Sequence, residues 1–302
     1  MGGSEQRTRQ RSVSTTNPWL LVVMVDGSHS MSADWVGTKR SMAELVEQSV
    51  NNMLYDMALN FSGTGEGALK DRIHLRLLVY SGEDVVMDPI PLPEGSNYLC
   101  SDGESGWVQN WSEVHQYPGT KDEVPRWFEL VPEGKTPMLK AFQTARTAVE
   151  QHISEYPDSF PPVVLNISDG DPSDCGNPID WDLVISECDS IRSLGYDGCS
   201  PLICNVHLDP QGRGHPSLYA DEPPRTEGIE DGLWLASSKF SDVRGGALTG
   251  LPSSASDGEG ERRFFVFNSD LVHFHEFLDF STLMANRVPK NVIIDIDFTE
   301  EE

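Results

Sequence analysis

Residues 20–31 read LLVVMVDGSHSM, an apolar run that ends abruptly in a carboxylate and two hydroxyls. Six apolar residues without polar alternation are typical of a strand buried on both faces of a parallel sheet. Ligands of such sheets collect beyond the carboxyl ends of the strands. Asp26, Ser28 and Ser30 therefore stand where a functional site is expected, and a tight loop can direct their oxygens at one hard cation. Because Asp and Ser are also ordinary turn and cap residues, this motif alone leaves a structural role open.

Further segments repeat the pattern of the first strand. Apolar runs of strand length alternate with stretches that carry apolar residues at spacings of three and four, as amphipathic helices do. The strands are predicted at 20–25, 75–80, 163–167, 202–208 and 264–267, and the helices at 39–60, 137–153, 180–194, 233–240 and 270–286. This alternation predicts an α/β fold, a Rossmann-like, doubly wound, mostly parallel sheet with helices on both faces.

Composition divides the chain around this domain. Residues 1–17 lack an apolar core and are predicted to be a disordered tail rather than a signal peptide. Long stretches rich in Gly, Pro and acidic residues are predicted to be insertions, which are usually functional or disordered. The domain is predicted at 18–290, with insertions at about 95–132, 210–232 and 245–262 and an acidic C-terminal tail at 291–302. The first insertion carries Trp107, Trp111 and Trp127, and we expect it to border the site because it ends just before Thr136.

The charge balance restricts the classes of partner. The chain has 302 residues with 22 Lys+Arg and 48 Asp+Glu, a net charge of −26. Nucleic acids and anionic membrane surfaces attract a positive surface, so neither is an expected partner. The acidity fits cation binding, a basic partner or plain solubility, and it leaves halophilic adaptation open. Five cysteines without CxxC spacing are typical of reduced thiols, and no apolar run reaches the length of a membrane span, so we expect a cytoplasmic protein.

Two other segments place oxygen-bearing side chains near the same edge of the sheet. GKTPMLKAF at 134–142 opens a predicted helix with Thr136, although Thr followed by Pro is a sound helix start without any metal. ISDGDPSD at 167–174 puts Asp169 directly after a strand. Three loops at one edge of the sheet, in this order, direct oxygen-bearing side chains at one place, which is far more specific than any one of them.

With these segments in this order, the chain resembles a von Willebrand factor type A (vWA) domain with an intact metal-ion-dependent adhesion site (MIDAS). The resemblance covers roughly residues 17–287. It implies that Asp26, Ser28 and Ser30 form the family's DxSxS motif, that Thr136 fills its Thr position and that Asp169 fills its final Asp position. It further implies a bound Mg²⁺, with Mn²⁺ or Ca²⁺ as substitutes, and an open coordination position that an Asp or Glu of a partner protein occupies.

The sequences at 134–142 and 167–174 resemble those of bacterial cytosolic members of the family that are associated with tellurium-resistance and stress operons. That resemblance implies a non-enzymatic adaptor in a bacterial stress-response or conflict and defence system. It also implies that the partner is a kinase, a phosphatase or an AAA+ protein of the same operon. The chain departs from this group in its tryptophan-containing insertion and in its larger carboxy-terminal half.

Two other functions stay open at this point. The same metal ion could serve a phosphoester hydrolase, with Asp169 and Asp171 as a carboxylate pair, but no separate base or phosphate-cradling glycine loop accompanies them. No GxSxG elbow is present for a nucleophilic serine. The third hypothesis is an adaptor subunit of an AAA+ chaperone or chelatase. The chain has no GxxxxGK[ST] loop, so it would not itself be the ATPase.

The histidines are weaker candidates for ligands. His29 lies between the two serines of the motif, but alternation should turn it away from them. His207 and Asp209 end a predicted strand, where a place in the core or at the rim is more typical than ligation. His273 and His275 have the wrong spacing for one helical face, which disfavours a zinc site.

Overall fold

A computed structural model describes residues 13–35, 38–61, 72–82, 84–87, 114–116, 123–195, 200–211, 217–242 and 261–268. The helix predicted at 270–286, the acidic tail at 291–302, Trp107 and Trp111 lie outside these residues. The predicted N-terminal tail is described only from Val13, and there Ser14 to Asn17 form a turn in which Asn17 N donates to Ser14 O at 3.2 Å.

Seven strands in the described ranges form one mixed sheet. They are β1 (Trp19–Asp26), β2 (Ile73–Ser81), β3 (Asp84–Met87), β6 (Val163–Ser168), β7 (Leu202–His207), β8 (Ser217–Leu218) and β9 (Phe265–Phe267), while β4 (Val114–Gln116) pairs with β5 (Glu123–Pro125) in a separate sheet. The order across the main sheet is β3-β2-β1-β6-β7-β9-β8. Its five central strands are parallel, and β3 and β8 pair antiparallel at the edges.

Helices cover both faces of this sheet, which confirms the predicted α/β class. They are α1 (Met42–Phe61), α2 (Met138–Glu155), α3 (Trp181–Arg192) and α4 (Ile229–Ala236), with short 3₁₀ helices at His29–Ser32 and Phe240–Asp242. Alternate residues of β1 enter two separate cores, one with α1 and the other with α2, α3 and α4. Side chains of a strand point alternately to the two faces, so a strand covered twice must be apolar throughout. None of the helices in the described ranges combines the length and the apolar content that crossing a membrane requires.

Helix α4 begins and ends four residues earlier than the predicted 233–240. Gly228, with φ +85°, precedes it, and Gly232 lies inside it. An ideal Cβ on Gly232 would stand 2.1 Å from the Cδ2 atom of Trp181, so α3 can approach α4 only where no side chain intervenes. Gly228 and Gly232 lie in the predicted insertion, but in the structure Gly228 precedes a helix and Gly232 is the point where that helix packs against α3. The region predicted as the second insertion also contains the edge strand β8.

The end of the predicted first insertion belongs to the core. Trp127, Phe128 and Leu130 are buried with α1 against the sheet. The side chain of Asn51 on α1 accepts a hydrogen bond from Trp127 N (2.8 Å) and donates one to Phe128 O (3.1 Å). Backbone groups buried without secondary structure need such partners. Residues 126–130 are thus fixed on α1 and lead directly into the loop that carries Thr136.

The three described cysteines are buried free thiols: Cys175, Cys188 and Cys204. Burial raises the pKa of Cys175 and of Cys204 to about 12, and it also raises the pKa of Cys188. A thiol that does not ionise is a poor nucleophile, so these side chains act as core residues. Cys100 and Cys199 lie outside the described residues.

A buried histidine cluster makes the stability of the fold sensitive to acid. His152 packs against His74 and Tyr156, with ring centroids 5.5 and 5.1 Å away, and burial together with His74 lowers its pKa from 6.5 to about 3. The unfolded chain binds a proton here that the folded protein excludes, so stability is lost as the pH falls from about 6.5 towards 3. We expect the free energy of unfolding from urea titrations to fall more steeply below about pH 6 for the wild type than for His152→Gln, by up to about 1 kcal/mol per pH unit. Parallel profiles for the two proteins would contradict this assignment.

Candidate metal centre

The candidate site lies where the strand order reverses. The chain proceeds from β1 to β2 on one side, whereas β6 lies on the other side and continues to β7. Loops diverge at such a point, and open α/β sheets bind ligands there. Val25 pairs with Ile167, which brings Asp26 at the end of β1 beside Ser168 at the end of β6. Ser168 Oγ donates a hydrogen bond of 2.6 Å to Asp26 Oδ2.

The loop after β1 folds its two hydroxyls over the Asp26 carboxylate. Ser28 N donates to Asp26 Oδ1 at 2.8 Å, which forms a tight turn directly after the strand. The 3₁₀ helix that follows is anchored by the fully buried side chain of Met31. Its first turn brings Ser30 Oγ to 2.9 Å from Ser28 Oγ. The spacing of two between these residues therefore places both hydroxyls on one side of the loop.

The loop after β6 joins this group through Asp169. Ser30 Oγ donates to Asp169 Oδ1 at 2.9 Å, so hydrogen bonds connect Ser28, Ser30 and Asp169. Asp169 Oδ2 is buried and has no hydrogen-bond partner in the described structure. An unpaired buried carboxylate oxygen is costly, and a cation is the ligand that best removes this cost.

The loop that carries Thr136 is held against the first loop by backbone contacts. Gly134 has φ +68°, and an ideal Cβ there would stand 2.4 Å from the Cα of Gly82. Only glycine permits both this conformation and this approach of two backbones. His29 N donates to Gly134 O at 3.2 Å, which joins the two loops directly. Thr136 follows two residues later and is buried.

Helix α2 does not use Thr136 as its cap, contrary to the sequence prediction. Pro137 occupies the N-cap position without a side-chain hydrogen bond. The carboxylate of Asp174, from the loop after β6, accepts hydrogen bonds from Leu139 N (3.2 Å) and Lys140 N (2.9 Å) instead. These are N–H groups that helix termini leave without intrahelical partners. The Thr136 hydroxyl is therefore not consumed by helix capping.

Gly170 shows how closely the three loops converge. An ideal Cβ on this residue would stand 3.1 Å from Thr136 Oγ1, 3.7 Å from Ser30 Oγ and 3.8 Å from Asp26 Oδ2. Oxygens from the loop after β1 and from the loop that carries Thr136 thus converge on Gly170 in the third loop, where no side chain intervenes. The structure brings the five predicted site residues, Asp26, Ser28, Ser30, Thr136 and Asp169, together.

The two carboxylates lie in an environment that penalises their negative charge. Burial raises the pKa of Asp26 to about 6, although hydrogen bonds from Ser168 and Ser28 favour the ionised form. Burial and the nearby charge of Asp26 raise the pKa of Asp169 to about 7. Desolvated like charges repel each other, and a bound cation reverses that balance.

The set of donors fits a hard divalent cation. Two carboxylates and three hydroxyls are oxygen ligands of the kind that Mg²⁺, Mn²⁺ and Ca²⁺ take. Within the described ranges, no three His, Cys, Asp or Glu side chains converge as metal ligands. A site here therefore depends on its hydroxyls, unlike zinc sites that are built from Cys and His.

The other candidate residues have different surroundings. His29 is exposed on its loop. His207 is buried, stacks on Phe267 and donates from Nδ1 to Ser168 O at 3.2 Å. It therefore supports the loop after β6 from behind. His273 and His275 lie outside the described residues.

Two further acidic residues lie at the same edge. Burial and the charge of Glu230 raise the pKa of Asp171, while the Trp181 side chain lowers it. Asp209 is buried and faces Arg225, with Arg225 Nη2 3.9 Å from Asp209 Oδ2. The hydrogen bonds that connect Ser28, Ser30 and Asp169 do not include Asp171.

A buried polar network that the sequence did not predict lies beneath the site. Tyr80 OH donates to Asn166 Oδ1 (2.7 Å), Asn166 Nδ2 to Asn205 Oδ1 (3.0 Å), and Asn205 Nδ2 to Ser237 Oγ (2.9 Å). The network connects β2, β6 and β7 below the site and ends at Ser237, the residue that follows α4. An asparagine inside an otherwise apolar strand is a signal that could have revealed it, because buried amides need partners.

No protein-family model matches the sequence, and none of the curated proteins matches it. Solved structures similar to it include proximal thread matrix protein 1 from the mussel byssus, at 11% identity and a TM-score of 0.46 over 90% of this chain and 48% of that chain. The pilus adhesin SpaC from Lactobacillus rhamnosus GG has 11% identity and a TM-score of 0.49 over 91% of this chain and 31% of that chain. The vWF domain of the type V pili tip protein Mfa5 from Porphyromonas gingivalis has 12% identity and a TM-score of 0.32 over 89% of this chain and 79% of that chain.

The chain spans about half the length of the mussel protein and about a third of the adhesin SpaC. At these identities and TM-scores, none of the likenesses indicates what this chain binds.

Proposed function

We propose that this protein is a metal-dependent protein-binding module with a vWA-type site, which recognises an Asp or Glu of a partner through a divalent cation. The observation that carries the proposal is the convergence at Gly170. Hydroxyl and carboxylate oxygens from two loops converge there on the third loop, and Asp169 in that third loop contributes a buried oxygen that lacks a hydrogen-bond partner among the described residues. Mg²⁺ is the cation we propose, with Mn²⁺ or Ca²⁺ as substitutes.

Each residue of the site has a distinct part in this proposal. Asp26 is held rigidly by Ser168 and by the turn to Ser28, so it supplies a fixed negative charge. Ser28, Ser30 and Thr136 supply neutral oxygens that add no charge. Because no more than two carboxylates hold the cation, it stays electrophilic. An incoming carboxylate oxygen can then occupy an open coordination position.

The surroundings of the site favour recognition over hydrolysis. Hydrolysis needs a base near the working pH and groups that stabilise the developing charge. Of the two described histidines at this edge of the sheet, His29 is exposed on its loop, and His207 donates to a backbone carbonyl from a buried position. Asp171 takes no part in the hydrogen bonds that connect Ser28, Ser30 and Asp169. Recognition requires only an accessible position at the metal, and the missing side chain of Gly170 provides the space.

We extend the proposal to a cytoplasmic adaptor in a bacterial stress-response or defence system. This extension is supported by the sequences at 134–142 and 167–174, together with the three buried free thiols. The partner would then be a kinase, a phosphatase or an AAA+ protein that presents an acidic residue.

The test is capture of partners by the immobilised protein in Mg²⁺, followed by elution with a chelator and mass spectrometry. We expect a discrete protein to elute with chelator, to rebind when Mg²⁺ is restored and to be missing from an Asp26→Asn column. Replacing one Asp or Glu of that purified protein should abolish the interaction. Chelator-insensitive binding would contradict the proposal, and metal-dependent turnover of phosphoesters that Asp26→Asn abolishes would establish a hydrolase instead.

A further inference from the structure

A pocket of 470 Å³ opens beside the candidate metal centre, where α2 begins. Its walls come from the end of β2, the loop around Thr136, the first turns of α2 and the loop after β6. The lining residues are Gly82, Lys135, Pro137, Leu139, Lys140, Gln143, Ser173 and Asp174. No residue of this pocket was singled out by the sequence as functional.

The pocket adjoins the metal centre through the backbone. Lys135 and Pro137 are the chain neighbours of Thr136, and Ser173 N donates to Thr136 O at 2.8 Å. Consecutive Cα atoms are about 3.8 Å apart, so the pocket begins within one residue of a proposed metal ligand. A segment bound at the metal could therefore continue into the pocket.

The charge of the pocket is unusual for this protein. The chain carries 22 Lys and Arg against 48 Asp and Glu, yet two exposed lysines, Lys135 and Lys140, line this one opening. Lys135 forms no ion pair within the described part of the chain. The acidic lining residue is Asp174. Its carboxylate accepts hydrogen bonds from Leu139 N and Lys140 N, which partly offset its negative charge.

Lys140 also lies at the N-terminal end of α2, where a positive charge is electrostatically unfavourable. It lies in the first turn of α2, which contains no acidic residue. Helix N-termini carry a partial positive charge and favour anions. A lysine at this place adds to the positive potential on the pocket side, although Asp174 already occupies two of the helix N–H groups.

We infer that this pocket, defined by Lys135 and Lys140, is a second recognition subsite for an acidic segment of a partner protein. One carboxylate of the segment occupies the metal position, and a second carboxylate, two or three residues away, pairs with the lysines. An extended peptide covers about 7–10 Å over that separation. The inference rests on the proposed function, and it narrows the partner to a segment with two spaced acidic residues rather than a single one.

The test uses synthetic peptides of Gly and Ser that contain one Glu, or two Glu separated by one or by two residues, with Gln versions as blanks. Binding is measured by NMR titration in Mg²⁺ at low salt and again with chelator. For the wild type we expect the second Glu to tighten metal-dependent binding by about fivefold, the size that exposed ion pairs produce. In Lys135→Gln/Lys140→Gln the single-Glu peptide should bind as before, while the gain from the second Glu disappears.

The control is Lys239→Gln, which makes the same kind of replacement at one lysine beside Arg263, near the start of β9 and away from the carboxyl ends of the strands. This variant should keep the full gain from the second Glu. If the single-Glu peptide binds with Mg²⁺ and the second Glu adds nothing, or the gain survives the double lysine replacement, only the pocket inference is overturned. If no peptide binds in Mg²⁺, the proposed function fails and the inference fails with it.

Discussion

Replacing Asp26 by Asn should abolish the stabilisation by Mg²⁺ and, at the same time, raise the stability of the metal-free protein. Asp26 is fully buried, and burial raises its pKa to about 6 and contributes to a pKa of about 7 at Asp169. In chelator at pH 8, the wild type must keep both charges desolvated and close together. An amide of the same shape can still accept from Ser28 N through its oxygen and can donate from its nitrogen to Ser168 Oγ, while it removes one charge.

The size of both effects can be bounded. Stabilisation by a ligand at about 100 times its dissociation constant is about 2.7 kcal/mol, which corresponds to roughly 5–10 °C in melting temperature for a domain of this size. Asp26→Asn should lose this shift and should gain about 1–3 kcal/mol in chelator. Carboxylates with a raised pKa destabilise the fold as the pH rises, so the advantage of the variant over the wild type should grow between about pH 4 and 7.

Differential scanning calorimetry with Mg²⁺ and with chelator measures both effects. The matched control is Asp171→Asn, which removes a carboxylate from the same edge of the sheet without touching the proposed ligands. That variant should keep the Mg²⁺ shift. An unchanged Mg²⁺ shift in Asp26→Asn would remove Asp26 from the metal site.

The convergence of the five candidate residues could be predicted from the sequence because each part depends on local chemistry. Apolar runs that end in polar residues mark the carboxyl ends of buried strands, and parallel pairing of β1 with β6 must then bring Asp26 close to Asp169. The same alternation predicted the class of the fold. These inferences need no knowledge of side-chain packing.

Features that depend on contacts between distant segments could not be predicted. Gly232 indicated a loop, yet it serves a helix contact with Trp181. Thr136 has the pattern of a helix cap, but Asp174 performs that task from another loop. Composition likewise assigned Trp127 to an insertion, although Asn51 holds its backbone in the core. In each case the deciding partner lies far away in the sequence.

Gly170 gives the second large expected effect, because its missing side chain is what leaves room among the oxygens. Replacement by Ala would place a methyl group 3.1 Å from Thr136 Oγ1, a contact that a small shift can relieve, and should weaken Mg²⁺ binding by about tenfold. Val adds two methyl groups at the point where the loops converge, and Gly170→Val should remove Mg²⁺ binding altogether. Both variants should fold, since Gly170 has no positive φ and is only half-buried.

Titration calorimetry with Mg²⁺ across Gly, Ala and Val at this position tests the graded loss. Gly176→Ala is the control for a general cost of replacing a loop glycine. Gly176 has φ +85°, so alanine is strained there, but its ideal Cβ comes closest to Pro178 O at 3.5 Å. That variant should lose stability by about 1 kcal/mol and bind Mg²⁺ normally. If Gly170→Val binds Mg²⁺ as tightly as the wild type, the cation does not lie among the oxygens of Asp26, Ser30 and Thr136, and the metal centre proposed for these loops is wrong.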